Sequence, residues 1–255
     1  VGLDAVFNGI NGAFIEATHL TTQLKWEAPA LHVQQLQGSL YRGGIDLSGV
    51  LEIPTREATL EVTSDFDARE IRHLLSPNGQ KWIDQYAWET PPRLNATGGA
   101  RLPAWTDPKP DWRGEVKPTM HIDGHFDVDE GGFRGVPVVK ASSDIFFKDM
   151  IWRLPNLTIH RPEGVTRLGY ECDASTQDYV WDVDSVVQPK ALNPLLNAAG
   201  QKVLSQLEFE DPVAVKGKVW GRWHHLERTG AEATLKTGRM SYRDQPCLSV
   251  EAQGS

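Results

Sequence analysis

Hydrophobic and polar residues alternate along most of the chain. Stretches such as "LHVQQ", "GIDLSGVLEI", "ATLEVTSDFD", "TMHIDGHFDVD" and "NLTIHR" carry an apolar side chain at about every second position. Gly, Pro and Asp residues interrupt this pattern at intervals of roughly ten residues. A period of two is typical of β-strands with one apolar and one polar face. We therefore predict a mainly β fold of antiparallel strands.

Two segments depart from this alternation and predict short helical hairpins. In "DAREIRHLLSPNGQKWIDQYAW" the residues Ile71, Leu74 and Leu75 have helical spacing, and a second apolar stripe follows. The same device recurs near Leu195 and Leu196. We expect equivalent hairpins near residues 67–87 and 188–208, on matching sides of one sheet. We further expect the leucines at 74, 75, 195 and 196 to cover one end or edge of that sheet, and the glycines at 79 and 200 to end the first helix of each hairpin.

The chain repeats itself. "SPNGQKWIDQYAWETP" at 76–91 and "NAAGQKVLSQLEFEDP" at 197–212 align at one constant offset, and "FNGINGAFIEATHLTTQLKWEAPALHV" aligns with "FRGVPVVKASSDIFFKDMIWRLPNLTI" without a gap. A third copy begins at "SYRDQPCLSVEAQ". We therefore divide the chain into a first repeat (1–97), a second repeat (98–217) and the start of a third (218–255). Such self-similarity is typical of modules that stack on their neighbours.

The connection between the first two repeats is rich in Pro, Gly and Trp. Its sequence, "PPRLNATGGARLPAWTDPKPDWRGEVKPT", could form a linker between domains. However, Leu94, Leu102, Trp105 and Trp112 would be costly to expose to water. We therefore expect an ordered connection within one continuous sheet.

Composition and charge exclude one class of partner. The net charge of -8, without a cluster of Lys and Arg, argues against nucleic acid. The sequence begins at Val1 and contains no apolar run near the length of a membrane helix. We interpret it as an excerpt of a longer protein, with any targeting signal outside it. Cys172 and Cys247 could form a disulfide or remain free thiols, so they do not indicate a compartment.

The best candidate for metal chemistry is the strand "HIDGHFDVDEGG". It carries potential ligands at alternate positions, which places them on one strand face: His121, Asp123, His125, Asp127 and Asp129. The same alternation describes any half-solvated strand, and we favour that reading. "DVDEGG" also begins like a calcium loop, but Val138 occupies the position of the required acidic residue. We interpret this segment as a hairpin turn and assign no metal.

No other motif indicates catalysis. His224 and His225 are adjacent, so in a strand they would point to opposite faces, and a solvated edge explains them. The sequence has no phosphate-binding Gly loop, no Gly-x-Ser-x-Gly motif and no Cys-x-x-Cys pair. We expect no cofactor, and we expect that the protein is not an enzyme.

The repeated blocks carry a family resemblance. The first repeat combines aromatic-x-Gly, W-x-x-P-x-L-x-V, G-x-L-x-x-G-x-L-x-I and S-x-F-D-x-x-x-I-x-x-L-L, followed by a helical hairpin. This arrangement resembles the AsmA-like family of the bacterial envelope, which includes TamB-like proteins. The residues that carry the resemblance are Phe7, Trp26, Pro29, Leu31, Gly38, Gly49, Phe66, Ile71, Leu74 and Leu75, and in the second repeat Phe133, Trp152, Pro155, Leu157, Leu195 and Leu196.

The resemblance implies a fold and a function. It implies a long twisted antiparallel sheet that forms an open trough, with phospholipid acyl chains on its apolar side. Such proteins are associated with phospholipid movement between the inner and outer membranes. The resemblance also implies a location in the periplasm or cell envelope, with attachment to the inner membrane through a helix outside this chain. Envelope proteins are a further class of expected partner.

The predicted lipid-binding residues lie on apolar strand faces: Leu47, Leu51, Leu60, Val62, Ile145 and Phe147. An acyl chain requires only a stripe of aliphatic side chains, at roughly 0.8 kcal/mol for each methylene removed from water. Two alternatives remain open. One is a structural or adhesive β module that binds proteins, in which these residues would meet a facing sheet. The other is a glycan-processing solenoid, which would group acidic residues on one face.

Overall fold

The predicted mainly β class is confirmed. A computed structural model describes residues 1–11, 16–243 and 245–254. The predicted first repeat includes residues 12–15, and the predicted third repeat includes residues 244 and 255, all of which lie outside the described residues. The strands are β1 (Gly2–Asn11), β2 (Glu16–Glu27), β3 (Ala30–Leu40), β4 (Gly43–Glu52), β5 (Glu57–Ser64), β6 (Tyr86–Trp88), β7 (Arg93–Arg101), β8 (His121–Phe133), β9 (Val136–Lys148), β10 (Ile151–Arg161), β11 (Gly164–Asp173), β12 (Asp178–Val187), β13 (Leu207–Phe209), β14 (Val213–Arg222), β15 (His225–Thr237), β16 (Met240–Tyr242), β17 (Gln245–Cys247) and β18 (Val250–Gly254).

Most of the strands form one open sheet of 15 strands. Its order is β1-β2-β3-β4-β5-β7-β8-β9-β10-β11-β12-β14-β15-β18, and β6 pairs with β8 beside this path. The strands β13, β16 and β17 form a small second sheet. Most strands that are neighbours in the sheet are also consecutive in sequence, because short turns such as Tyr41–Arg42 join antiparallel strands.

Contacts divide the chain into two compact units. The first unit contains Val1–Asp84, Pro91–Asp127 and Asp144–Trp152. The second unit contains Gln85–Thr90, Val128–Ser143 and Arg153–Ser255.

Two helical inserts interrupt the strands where the sequence predicts them. The first insert is a 3-10 helix (Glu70–Leu74) followed by α1 (Pro77–Ile83), and the second is a 3-10 helix (Pro189–Leu195) followed by α2 (Ala198–Leu204). The last residues of each predicted hairpin are not helical, because β6 and β13 begin there. Each insert occupies the same place in the chain, after β5 and after β12.

The repeated Gly-Gln pair has a different role from the one predicted. Gly79 and Gly200 do not end a helix; each is the third residue of α1 or α2. A Cβ atom at Gly79 would lie 3.1 Å from the Cβ of Leu75, so a small residue lets the helix approach the preceding segment. The next residue, Gln80, donates from Nε2 to the Leu75 carbonyl at 3.0 Å.

The second insert reproduces these contacts. A Cβ atom at Gly200 would lie 3.3 Å from the Cβ of Leu196, and Gln201 donates to the Leu196 carbonyl at 3.1 Å. The side chain of Asn197 accepts from the Gly200 backbone N–H, as the side chain of Ser76 does from Gly79. The repeated motif therefore encodes a helix start that is bonded to the segment before it.

The four leucines that we expect to cover an end or edge of the sheet are not deeply buried. Leu74, Leu195 and Leu196 are exposed, and Leu75 is half-buried. The buried residues of the two inserts are instead Ile83 in α1 and Leu204 in α2. Helical spacing identified the apolar stripes correctly but did not determine which stripe faces the protein.

The connection between β6 and β8 is ordered, as predicted. Its first part forms β7, which is a strand of the large sheet. A π-helical turn (Trp112–Val116) and a 3-10 turn (Lys117–Thr119) complete it. Trp105 Nε1 donates to the Ile53 carbonyl at 3.0 Å. The expectation that its tryptophans would be buried is wrong, because Trp105 and Trp112 are each more than half exposed.

The segment "DVDEGG" is not a hairpin turn, contrary to our interpretation. The strand β8 continues through it, and the turn falls at Arg134 and Gly135, both with positive φ. Gln85, which precedes β6, accepts from the backbone N–H of Arg134 at 2.8 Å and from its Nε at 2.7 Å. Gln206 and Arg243 make the same two contacts, each at 3.0 Å. The same contact therefore joins the residue before β6 to the turn after β8, and the residue before β13 to the turn after β16.

Candidate functional site

The strand register of the first unit places four of the predicted lipid-binding residues on one face. Leu47 pairs with Val62, Gly49 with Leu60, and Leu51 with Ala58. Residues directly opposite each other in an antiparallel pair have side chains on the same face of the sheet. Leu47, Leu51, Leu60 and Val62 therefore form a contiguous patch.

This patch belongs to a larger apolar face, which we call the first apolar face. The register extends it across β1 to β8 and adds residues that the sequence analysis did not assign: Leu3, Phe7, Leu20, Leu24, Trp26, Leu31, Val33, Leu36, Ile45, Leu94, Ala96, Ile122 and Phe126. A β-bulge in β3 between Val33 and Leu36 keeps apolar residues on this face on both sides of the irregularity. Strand alternation alone could not show that Val33 and Leu36 share a face, because the bulge inserts a residue and shifts which positions point to each side.

The opposite face of the first unit is polar. It carries Lys25, His32, Gln35, Asp46, Ser48, Thr59, Glu61, Asn95, Thr97, Asp123 and His125. A shallow groove on this side is lined in part by Lys25, His32, Ser48 and Glu61. Leu60 also lines this groove, although the register places its side chain on the first apolar face. The sheet of the first unit thus separates two chemically distinct surfaces.

Large apolar side chains of the first apolar face contact solvent. Leu3 is 58% exposed, Phe7 47%, Leu60 42% and Trp26 41%, while Leu47, Leu51 and Val62 are half-buried. The whole chain exposes 16013 Å². A globular protein of this mass should expose about 11,000 Å², and two separate globules of half its mass about 13,500 Å². The chain therefore exposes more surface than globular proteins of its mass, and the exposed side chains named above are part of that surface.

The two remaining predicted residues lie in β9. Ile145 is half-buried, whereas Phe147 is completely buried and packs on Trp152 with ring centroids 4.5 Å apart. Phe147 is thus part of the internal packing of the first unit. We do not retain it in the candidate surface, because a ligand could not reach its side chain.

The second unit has an equivalent surface, which we call the second apolar face. Leu168 pairs with Val183, Tyr170 with Trp181, and Cys172 with Tyr179. The register of β14 and β15 continues this face through Val187, Val213, Val215, Val219, Ala231, Ala233 and Leu235. The sequence analysis assigned none of these residues.

The opposite face of the second unit carries ion pairs between neighbouring strands. Lys216 Nζ lies 3.1 Å from an oxygen of Asp184, and Lys218 Nζ lies 3.6 Å from one of Asp182. Arg222 makes a two-bond contact with Asp178, at 2.6 and 2.8 Å. Hydrogen bonding to Arg222 lowers the pKa of Asp178 to about 2. These exposed pairs match opposite charges across the strands and contribute little to stability individually.

Burial along the second apolar face differs from strand to strand. Val187 and Val213, where the chain enters and leaves the second helical insert, are each only 3% exposed. Trp223, in the turn at the other end of β14, is 42% exposed. The neighbouring strands do not follow this order, because Cys172 is only 7% exposed at the turn end and Leu235 is 40% exposed at the insert end.

Four aromatic residues cluster at the turn end of the second apolar face. Tyr170 packs on Trp181 with ring centroids 4.2 Å apart, and Tyr179 packs on Trp223 at 4.5 Å. The indole N–H of Trp223 donates to the Tyr170 hydroxyl at 3.2 Å. Burial raises the pKa of Tyr170, and a side-chain hydrogen bond with Cys172 raises it further. We call these four residues the aromatic cluster.

The first unit lacks this cluster at the equivalent positions. The pair Tyr170–Trp181 corresponds in register to Gly49–Leu60, and Cys172–Tyr179 corresponds to Leu51–Ala58. Trp181 then pairs with Val219 as Leu60 pairs with Gly98. Aligning the two repeats could have revealed this difference from sequence alone.

The histidine and acidic residues do not assemble a recognisable metal site. His125 Nδ1 lies 2.7 Å from Asp144, and its Nε2 lies 3.6 Å from Asp127. Among the residues that the structure describes, no group of three or more His, Cys, Asp or Glu side chains could hold a metal ion. His224 lies in the turn between β14 and β15, with positive φ, rather than in a strand as we interpreted it.

Both cysteines are free thiols; Cys172 is buried and Cys247 is half-buried.

In the described part of the chain, none of the helices has the length and hydrophobicity that a membrane span requires.

Comparison with known proteins gave no match to this chain among protein-family models, curated proteins or solved structures. The interpretation of its function therefore depends on the surfaces described above.

Proposed function

We propose that this chain is a repeat segment of a bridge-like lipid-transfer protein of the bacterial envelope, related to the AsmA-like family, and that its apolar sheet faces bind phospholipid acyl chains. The observation that carries this proposal is the first apolar face, where Leu3, Phe7, Trp26 and Leu60 are all exposed by more than two fifths of their surface. Exposed apolar patches of more than a few hundred Å² commonly mark a binding surface.

The chemistry of this face suits acyl chains. Its side chains are mostly aliphatic, and a hydrocarbon chain needs apolar contact without specific hydrogen bonds. Polar and charged residues occupy the opposite face, so the sheet can hold lipid on one side and water on the other. The periplasm is the compartment that we propose with this function.

A test compares one substitution on each face of the same strand. Leu60→Glu would place a charge among acyl chains, whereas Thr59→Glu would place it on the polar face, because Thr59 pairs with Val50 and points the opposite way. The purified wild-type chain should contain phospholipid that organic extraction and mass spectrometry detect. Leu60→Glu should lose this lipid and Thr59→Glu should retain it, with unchanged circular dichroism in both variants.

Two results would contradict the proposal. The first is a wild-type chain that contains no phospholipid and takes none from liposomes. The second is a Leu60→Glu variant that unfolds while Thr59→Glu remains folded, because that outcome would indicate a closed apolar face, as in a structural or adhesive β module.

A further inference from the structure

We propose that the connection between β7 and β8 in the first unit docks on a phospholipid bilayer through Trp105 and Trp112. We call residues 102–120 the tryptophan loop. The contact holds one edge of the first apolar face against the membrane from which that face takes lipid. Its role in lipid uptake rests on the proposed function, whereas the membrane contact rests on the loop itself.

The tryptophan loop has no counterpart in the second unit. Residues 102–120 join β7 to β8, whereas Trp223 and His224 alone join β14 to β15. The surrounding elements correspond, because β3, β4, β5 and α1 begin at one constant spacing from β10, β11, β12 and α2. The loop therefore adds a surface that the sheet does not require for its own connection.

Local contacts fix the conformation of the loop. The side chain of Asp111 accepts from the backbone N–H of Gly114 at 2.8 Å, and Val116 is only 5% exposed. Trp105 and Trp112 are nevertheless 54% and 58% exposed. The structured loop thus presents two large aromatic side chains to solvent, and exposed apolar groups held in this way commonly mark a binding surface.

The loop adjoins the first apolar face where β2 and β4 end. Trp105 Nε1 donates to the Ile53 carbonyl at 3.0 Å, and the Ile53 backbone N–H donates to the Pro29 carbonyl at 3.2 Å. Trp26 and Leu51, which belong to the first apolar face, are the last residues but one of β2 and β4. The tryptophan loop is therefore continuous with the face that we propose to bind acyl chains.

The chemistry of the loop suits the zone where lipid head groups meet hydrocarbon. Trp combines an apolar ring with one polar N–H and is enriched in that zone. The whole chain has a net charge of -8, but the loop carries three acidic and three basic residues: Asp107, Asp111, Glu115, Lys109, Arg113 and Lys117. A neutral loop is not repelled by anionic lipids. A bilayer therefore fits both the loop and the adjoining apolar face.

Flotation of the intact chain with phosphatidylcholine liposomes tests the contact. The wild type should float, and the double variant Trp105→Ala/Trp112→Ala should reduce the floated fraction several-fold. Trp82→Ala is the matched control, because Trp82 is 57% exposed in the same unit. It lies in the insert that follows β5, whereas the loop is bonded to Arg56, which precedes β5. Trp82→Ala should leave flotation unchanged, and circular dichroism checks the folding of each variant.

Fluorine NMR locates the contact with every tryptophan in place. The chain is labelled with fluorotryptophan, and the signals of Trp105, Trp112 and Trp82 are assigned from single Trp→Phe variants. Phosphatidylcholine nanodiscs with spin-labelled head groups should broaden the Trp105 and Trp112 signals, relative to nanodiscs without the spin label, and leave the Trp82 signal unchanged. This measurement decides the question even if the double alanine variant is unstable.

A soluble short-chain phosphatidylcholine, below its critical micelle concentration, separates docking from lipid binding. The double variant should bind this lipid as the wild type does, because its first apolar face is unchanged. It should take up long-chain phospholipid from liposomes several-fold more slowly. Leu60→Glu should show the opposite behaviour, with loss of binding to the soluble lipid and unchanged flotation.

The outcomes distinguish this inference from the proposed function. Flotation that is insensitive to the double substitution, or equal broadening of all three signals, would overturn the docking proposal and leave lipid binding intact. A chain that does not float but forms dimers through the two tryptophans would also overturn it, because the loop would then join two copies. A chain that floats through the loop but binds no soluble lipid would overturn the proposed function and leave the membrane contact intact.

Discussion

At the scale of single residues, the polar face of the second unit relies on direct charge pairing. Asp178 is exposed, and yet its pKa is lowered to about 2 because Arg222 donates two hydrogen bonds to its carboxylate. A planar guanidinium matches a carboxylate in this two-bond geometry, which a lysine could not reproduce.

Removal of Arg222 should return Asp178 toward an ordinary carboxyl titration. We expect the pKa of Asp178 to rise in Arg222→Gln, as measured by NMR titration of its carboxyl carbon. Because the folded-state pKa is depressed, the stabilisation by this pair is present above the ordinary pKa and is lost as the pH falls toward about 2. Lys218→Gln on the same face is the control and should leave the titration of Asp178 unchanged. Identical titration in the wild type and Arg222→Gln would refute this explanation.

At the scale of elements, each helical insert depends on one deeply buried side chain. Leu204 is 8% exposed in α2, whereas its neighbour Val203 is 62% exposed. In α1, the corresponding residues are Ile83 at 4% and Trp82 at 57%. The exposed leucines before each α-helix contribute less to the attachment of the insert.

Truncation of the two neighbours in α2 should therefore have very different effects. Leu204→Ala should lower the free energy of unfolding by about 2–5 kcal/mol, because it removes a buried side chain. Val203→Ala should change it by less than about 0.5 kcal/mol, since the site is exposed and Ala favours a helix. Urea unfolding followed by circular dichroism measures both. Similar losses for the two variants would mean that the insert packs differently from the structure.

The sequence predicted the place of these elements better than their packing. The repeated "GQK" motif located both inserts, because the Gly and Gln make the same local contacts in each. The face containing Leu47 and Leu60 was also predictable, since strand alternation determines which residues share a side. The burial of Phe147 and the exposure of Trp112 were not predictable, because the apolar character of a side chain does not determine whether another element covers it.

At the scale of the whole molecule, the dominant feature is the large accessible surface, which includes large apolar side chains. The chain exposes 16013 Å², well above the roughly 11,000 Å² expected for its mass. Its large exposed hydrophobic residues include Leu3, Phe7 and Trp26 on a single face. This surface should be detectable in solution without any knowledge of the natural ligand.

The delipidated chain should bind the dye ANS while it remains folded. Dye fluorescence normally indicates loosely packed apolar surface, but here the dye should bind to the apolar sheet faces of a native protein. Addition of phospholipid liposomes should reduce the fluorescence, because acyl chains would occupy the same faces. Near-ultraviolet circular dichroism serves as the control for native packing. A folded chain that fails to bind ANS would contradict the exposure of these faces.

The register of the repeats also limits how the length of this protein can change. The pairs Leu47–Val62 and Gly49–Leu60 correspond to Leu168–Val183 and Tyr170–Trp181 at one constant spacing in residue number. If a gene segment that encodes one whole repeat is duplicated or lost, the strands that become neighbours already point their side chains to the correct faces. An event one residue longer or shorter would exchange the two faces of every strand paired after it. Recombination within this gene should therefore be tolerated only in whole repeats.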